Sequence, residues 1–315
     1  MTDLLTLADI EAARDRIAGK VRRTPVLTSD ALDAAAGANL FFKCEPLQQV
    51  GAFKARGAAN AVFALGEAEA ARGVATHSSG NHGAALAWAA SLRGIPAHIV
   101  VPDTVNPAKR ANIARYGANI IVCEPTMAAR EAAAARVVAE TGATMIHPYD
   151  DVAVMAGQGT CALELLEQAP GLDLVLAPIG GGGLISGTAT AMKALSPATR
   201  VVGVEPAGAD DALGSLRSGV LIPMDHPATI ADGLRASLSE RTFAVIRARV
   251  DDIVTAPDDA TVEAMRALWE ALKITVEPSS AVPYAAVRTG AVATRGLKVG
   301  IILTGGNADL DALPW

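Results

Sequence analysis

Aromatic side chains make up only 3% of the 315 residues, too few for a platform on which bases stack. Excess positive charge is also missing. Lys and Arg number 27 against 33 Asp and Glu, for a net charge of −6, and the basic residues are scattered, so a nucleic-acid partner is not expected. Cysteine is scarce. Cys44, Cys123 and Cys161 are odd in number, widely spaced and form no C-x-x-C, which reads as reduced core thiols in a cytoplasmic protein. No apolar run approaches the ~20 residues of a membrane span, and Met1-Thr2-Asp3 opens without a secretory pattern, so neither membrane nor export is expected. Internal repeats and low-complexity linkers are absent too.

What is present is a chain that is 51% hydrophobic, able to bury large cores and long enough for roughly two domains. Short β-branched runs alternate with Ala-rich, helix-compatible stretches. Strands are expected at Gly73–Ser78, Ile95–Val101, Ala118–Cys123, Leu172–Ile179, Val201–Val204, Ile253–Ala256 and Val299–Thr304. Helices are expected through Leu86 and Trp88, around Lys109 to Tyr116, from Met127 to Glu140, and from near Leu184. This alternation indicates an α/β fold of open, mostly parallel sheets with helices on both faces. Ligands of such sheets sit at the C-terminal strand ends, where three loops stand out: Ser78-Ser79-Gly80-Asn81-His82, Gly180 to Gly183, and Thr304-Gly305-Gly306-Asn307.

The four consecutive glycines Gly180, Gly181, Gly182 and Gly183 lie between a strand and a helix start. Glycines let several backbone N–H groups approach one ligand, and the helix adds its positive dipole end, so a phosphate is the natural guest. A flexible turn is the alternative. The run is neither G-x-G-x-x-G nor a Walker loop, which argues against a dinucleotide or a nucleoside triphosphate. Lys54 lies in Gly51-Ala52-Phe53-Lys54-Ala55-Arg56-Gly57, among small and apolar residues. Apolar surroundings depress a lysine's pKa, as a Schiff-base lysine requires. Lys43, after Phe41-Phe42, is a competing candidate, and an ordinary solvated helix position is the bland alternative for Lys54.

Taken together these segments resemble the fold-type II pyridoxal-phosphate enzymes, tryptophan synthase β-like in fold, and specifically the serine/threonine dehydratase and serine racemase family. Gly51 to Gly57 looks like the lysine motif, Thr76 to Gly83 the substrate loop, Gly180 to Gly183 the phosphate cup, and Thr304 to Asn307 the segment meeting the pyridine nitrogen. The resemblance runs in order from about Arg22 to the C-terminus; Ala52 stands where many members carry Ser. It implies a large cofactor domain of residues 1–65 and 146–315, a small mobile substrate-loop domain of 66–145, and no C-terminal regulatory domain. It further implies that Lys54 holds the cofactor and acts as base at Cα. Phe53, Asn81, Leu184 and Thr304 would join the glycines around the cofactor. Ser78, Ser79, Asn81 and His82 would bind the substrate, with Ser79 a second acid/base group on the face opposite Lys54.

Glu205-Pro206-Ala207-Gly208-Ala209-Asp210-Asp211 has carboxylates bracketing a carbonyl, a donor set suited to a hard cation. A solvated acidic turn is the alternative. The resemblance implies a site for Mg²⁺, Ca²⁺ or Mn²⁺ made by Glu205, the Ala209 carbonyl and Asp211. Arg130 falls in the first turn of a helix, where the dipole disfavours a cation. It is either a surface partner of Glu131 or Glu124, or, as in hydroxyaspartate-dehydrating members, a substrate residue. His77, His98, His147 and His226 show no ligand spacing and are read as structural or exposed. The reading is a pyridoxal-phosphate ammonia-lyase that dehydrates 3-hydroxyaspartate in preference to serine or threonine. Alternatives are a serine or aspartate racemase, a catabolic threonine dehydratase, and a non-catalytic phosphate-ligand binder. A homodimer in the cytoplasm, with a small amino acid as its partner, is expected.

Overall fold

The computed structural model describes residues 4–315. Ten strands form two sheets: β1 (Val26–Leu27), β2 (Asn39–Cys44), β3 (Val74–Thr76), β4 (Ala97–Pro102), β5 (Asn119–Cys123), β6 (Thr144–Met145), β7 (Leu174–Pro178), β8 (Arg200–Pro206), β9 (Asp252–Ala256) and β10 (Lys298–Leu303). The larger has the order β1-β2-β10-β7-β8-β9 and the smaller β5-β4-β3-β6. Every pairing is parallel except β1 with β2. The expected strands all form, with ends shifted by a residue or two.

Burial follows from this parallel arrangement, because crossover helices cover both sheet faces. All five residues of β7 are buried, and the following helix Gly183–Leu195 is buried from Gly183 through Met192. Small residues permit the close helix contacts. A Cβ at Gly157 would lie 2.6 Å from the Arg56 carbonyl oxygen, and one at Gly187 2.5 Å from the Met155 carbonyl oxygen. Side-chain caps mark several helix starts. Thr126 Oγ1 accepts from the Ala129 amide at the head of Met127–Thr141, and Asp151 accepts from Val154 at the head of Val152–Gln168.

Among the described residues no helix is long and apolar enough to cross a membrane. All three cysteines are free. Cys44 and Cys161 are core residues, but Cys123 is only half-buried because the smaller sheet ends at β5, so it is not the core thiol expected.

Candidate active site

The loops after β3, β7 and β10 converge with the segment after β2 on a cavity of about 940 Å³ between the two sheets. Phe53, Lys54, Ser78, Ser79, Asn81, His82, Arg130, Gly180 to Gly183, Leu184 and Thr304 all line it. Residues far apart in the chain touch there, as Asn81 and Asn307 do across 226 positions.

Lys54 opens the helix Lys54–Ala64. Its half-buried Nζ donates to the Pro148 carbonyl at 2.7 Å and lies 5.2 Å from the Phe53 ring centroid. Burial lowers its pKa from 10.5 to about 8, since a cation loses hydration there. Two residues on, fully buried Arg56 fixes the same helical turn. It donates to both oxygens of Glu45 (2.7 and 2.8 Å) and both of Glu164 (2.7 and 2.9 Å). Lys43, the competing lysine, is consumed by structure: its buried Nζ donates to Glu164 (2.6 Å), the Thr24 carbonyl (2.7 Å) and Gln168 (2.9 Å). It does not line the cavity. The segment leading to Lys54 is strained, because β-branched Val50 adopts φ 54°, a conformation costing on the order of 1–3 kcal/mol. Asn307 Nδ2 holds the Val50 carbonyl at 2.9 Å.

The glycine loop is not a loose turn. A Cβ at Gly181 would collide with Tyr149 Cγ and Cδ1, one at Gly182 would lie 2.8 Å from Thr242 Cβ, and one at Gly180 3.0 Å from Leu234 Cα. Gly182 also has φ 86°, where side chains are disfavoured. Close packing on several sides therefore keeps a side-chain-free backbone in the cavity wall at the N-terminus of Gly183–Leu195.

On the opposite wall the Ser78–His82 loop opens the helix Asn81–Arg93. A Cβ at Gly83 would collide with the Ser78 carbonyl oxygen, so the loop turns tightly over the helix start. His82 Nε2 lies 3.2 Å from the Ile146 carbonyl. A carbonyl only accepts, so Nε2 carries the proton and Nδ1 is a bare acceptor, buried and without a partner. Burial, with Lys54 nearby, keeps this imidazole neutral well below the usual range. His147 is pushed down to about 4 by burial and by His77.

Arg130 is not the surface ion-pair partner that the sequence offers as one alternative. It makes no ion pair with Glu131, Glu124 or any other described carboxylate. Half-buried in the cavity wall, it donates from Nη2 to the His77 carbonyl, while its buried Nε has no partner.

The residues of the cation reading are close in sequence and buried: Glu205 1%, Ala209 1% and Asp211 6% exposed, which excludes a solvated turn. They lie outside the cavity wall. Glu205 accepts the Ala212 (3.0 Å) and Leu213 (2.8 Å) amides, capping the helix Asp211–Ser218, and Asp211 accepts the Leu238 amide at 3.3 Å. Burial raises Glu205 to about 8 and Asp211 to about 6, with neighbouring carboxylates adding to each. Among the described residues no cluster of three or more His, Cys, Asp or Glu side chains could hold a metal; the set here is two carboxylates and a carbonyl.

Several wall residues escaped sequence reasoning. His77 lines the cavity and packs edge-on against His147 at 5.5 Å, so it is not merely structural or exposed; its position directly before Ser78 was the available signal. Tyr149, Asp232, Glu277 and Asn307 also line the cavity. Asn81 Nδ2 donates to Glu277 Oε1 at 2.8 Å, and Asn307 Nδ2 donates to Asn81 Oδ1 at 2.8 Å. Asn307 closes the Thr304 motif and Glu277 opens the Glu277-Pro278-Ser279-Ser280-Ala281 segment, which resembles the hydroxyaspartate-dehydrating members, but the local sequence assigns neither a role.

A depressed-pKa lysine, a bare glycine cradle at a helix N-terminus, and unpartnered polar atoms on His77, His82 and Arg130 define a site for an anionic, carbonyl-bearing ligand. The family described as pyridoxal-phosphate dependent enzyme matches residues 17–305. The chain is 53% identical to a beta-hydroxyaspartate dehydratase of Paracoccus denitrificans (strain Pd 1222) over 98% of each chain. It is 50% identical to a serine racemase of Arabidopsis thaliana, over 98% of this chain and 94% of that one. The crystal structure of a T.th. threonine deaminase superposes with a TM-score of 0.93 at 46% identity, over 98% of this chain and 100% of that one. The chain therefore belongs to the pyridoxal-phosphate dependent enzymes, of fold type II. The cavity wall fits that cofactor on its own chemistry: an amine for the aldehyde, amides for the phosphate, and polar groups for the ring.

Proposed function

We propose that this protein is an ammonia-lyase that removes water from a β-hydroxy amino acid, yielding a 2-oxo acid and ammonia, and that 3-hydroxyaspartate is preferred over serine and threonine. Arg130 carries the substrate reading: a guanidinium in the cavity wall, with an unpartnered Nε and no carboxylate of its own. A planar guanidinium grips a second carboxylate in two hydrogen bonds, and the Paracoccus relative is named for that substrate.

Bound pyridoxal phosphate supplies an electron sink for the bonds at Cα. Lys54 Nζ would hold it and would take the Cα proton; a pKa near 8 suits a base at neutral pH. The Gly180–Gly183 and Leu184 amides would hold the phosphate, Phe53 packs beside the lysine, and Asn81 and Thr304 would meet the ring. Thr304 is a neutral hydroxyl that, beside the ring nitrogen, would not hold it protonated as a carboxylate would, which would favour elimination over transamination. Ser78, Ser79, Asn81 and His82 receive the α-carboxylate at a helix N-terminus. Ser79 serves the face opposite Lys54, which supports a racemase side activity of the kind named for the Arabidopsis relative.

Glu205, the Ala209 carbonyl and Asp211 bind Mg²⁺, Ca²⁺ or Mn²⁺: they are the oxygen donors a hard cation takes, and a cation would offset the two buried carboxylates once they ionise. Residues 66–145 move as a unit against 1–65 and 146–315. The cross-cavity contacts Lys109 to Asp232 and Asn106 to Asp309 sit where such motion would part them. The unpaired thiols fit a reducing, cytoplasmic setting, and a homodimer is the assembly proposed.

The test is incubation with the 3-hydroxyaspartate stereoisomers, serine, threonine and aspartate, measuring 2-oxo acid and inverted amino acid separately. A 2-oxo acid formed fastest from 3-hydroxyaspartate is expected. Inverted amino acid without 2-oxo acid would make the protein a racemase.

A further inference from the structure

The cavity wall contains a carboxylate that the roles above leave unused. Glu277 precedes the helix Pro278–Arg288 at the N-cap position, yet its side chain makes no capping bond. It is 7% exposed and forms no ion pair among the described residues. Burial, with Asp232 adding to it, raises its pKa to about 7; the Asn81 hydrogen bond, Lys109 and the Asn307 amide pull the other way. A buried carboxylate without a cation destabilises a fold, so its presence calls for a reason other than stability. The chain is nonetheless built around it: a Cβ at Gly305 would lie 2.5 Å from its Oε1.

The hydrogen-bond pattern supplies the reason. An ionised carboxylate only accepts, while a carboxamide has two N–H donors and one acceptor oxygen. Glu277 Oε1 accepts from Asn81 Nδ2 at 2.8 Å, and Asn81 Oδ1 accepts from Asn307 Nδ2 at 2.8 Å. Asn307 is itself fixed as a donor by the Val50 carbonyl at 2.9 Å. Both ends of the Asn81 carboxamide are thus specified, nitrogen toward Glu277 and oxygen toward Asn307, and its second N–H is left over in a residue that lines the cavity. We infer that Glu277 is a positioning residue whose carboxylate locks the Asn81 carboxamide as a hydrogen-bond donor toward the cofactor ring. The inference rests on the pyridoxal-phosphate reading of this site.

The full chain, stripped of cofactor, is titrated with pyridoxal 5′-phosphate by absorbance, and its melting temperature is measured without cofactor. The wild type is compared with Glu277→Gln, Asn81→Ala and the double variant. With the Asn81 oxygen still held by Asn307, a glutamine can meet Asn81 Nδ2 only with a neutral amide oxygen, so the charge-assisted hydrogen bond is lost while its geometry is kept. Glu277→Gln should weaken cofactor binding about tenfold, the size of one charge-assisted hydrogen bond, while the cofactor-free melting temperature stays level or rises. In the Asn81→Ala background the same change should alter affinity less than about twofold, because the two residues act as a unit. Asn307→Ala releases the other end of the carboxamide and should weaken binding with the same dependence on Asn81. An equal loss from Glu277→Gln in both backgrounds, or melting temperature and affinity falling together, would make Glu277 merely structural and overturn the inference. A wild-type chain that binds no pyridoxal phosphate would overturn the cofactor reading beneath it, which is a separate result.

Discussion

Raising the pH from about 5 to about 8 should weaken this fold at Glu205 and Asp211 unless a divalent cation is present. Both folded-state pKa values lie above their ordinary ones, 4.5 to about 8 for Glu205 and 3.8 to about 6 for Asp211. The native state therefore keeps protons that the unfolded chain has released, and stability falls as pH rises through that window. At about 1.4 kcal/mol per tenfold change in proton affinity, moving Glu205, which is 1% exposed, from 4.5 to about 8 costs on the order of 5 kcal/mol once it is ionised. At roughly 2 °C per kcal/mol for a chain this long, that is about 10 °C in melting temperature. A cation bound only by the folded state restores part of it. Differential scanning fluorimetry with saturating Mg²⁺, Ca²⁺ or Mn²⁺ should show a rise of about 5 °C or more near pH 8 and less than about 1 °C near pH 5. Asp211→Asn keeps an oxygen for the Leu238 amide but removes a cation ligand, and should abolish most of the response. A shift independent of pH, an undiminished shift in Asp211→Asn, or no shift at all would refute the site.

Arg130→Ala should lower kcat/KM for 3-hydroxyaspartate by about 2–4 kcal/mol of transition-state binding while affecting serine far less; steady-state kinetics on both substrates would show an unchanged ratio if Arg130 does not face the β-carboxylate. Ser79→Ala should suppress racemisation much more than elimination from the enantiomer whose Cα proton faces Lys54. Chiral chromatography showing equal losses would mean that Ser79 only positions substrate.

What was legible in the chain was what is contiguous in it. Gly180 to Gly183, Ser78 to His82 and Thr304 to Asn307 each occupy one loop at a parallel strand end, so strand periodicity placed them on a common side before any contact was known. Choosing between the two lysines needed distant partners: Lys43 is recognisable as structural only through Glu164 and Gln168, 121 and 125 residues away. The contacts of Glu277 and Tyr149 are not readable from their neighbours in the chain, because they arise from packing against Asn81 and Gly181. Arg130 read equally well as a surface residue until its burial beside His77 was seen. Cys123 was misjudged for the same reason, since position within a sheet decides burial and local hydrophobicity does not.

The most direct measurement is borohydride reduction of the purified, cofactor-loaded protein followed by peptide mass mapping. The account predicts a single pyridoxyl-modified lysine at Lys54, absent in Lys54→Ala. Label at Lys43, or a reducible adduct that persists in Lys54→Ala, would contradict it.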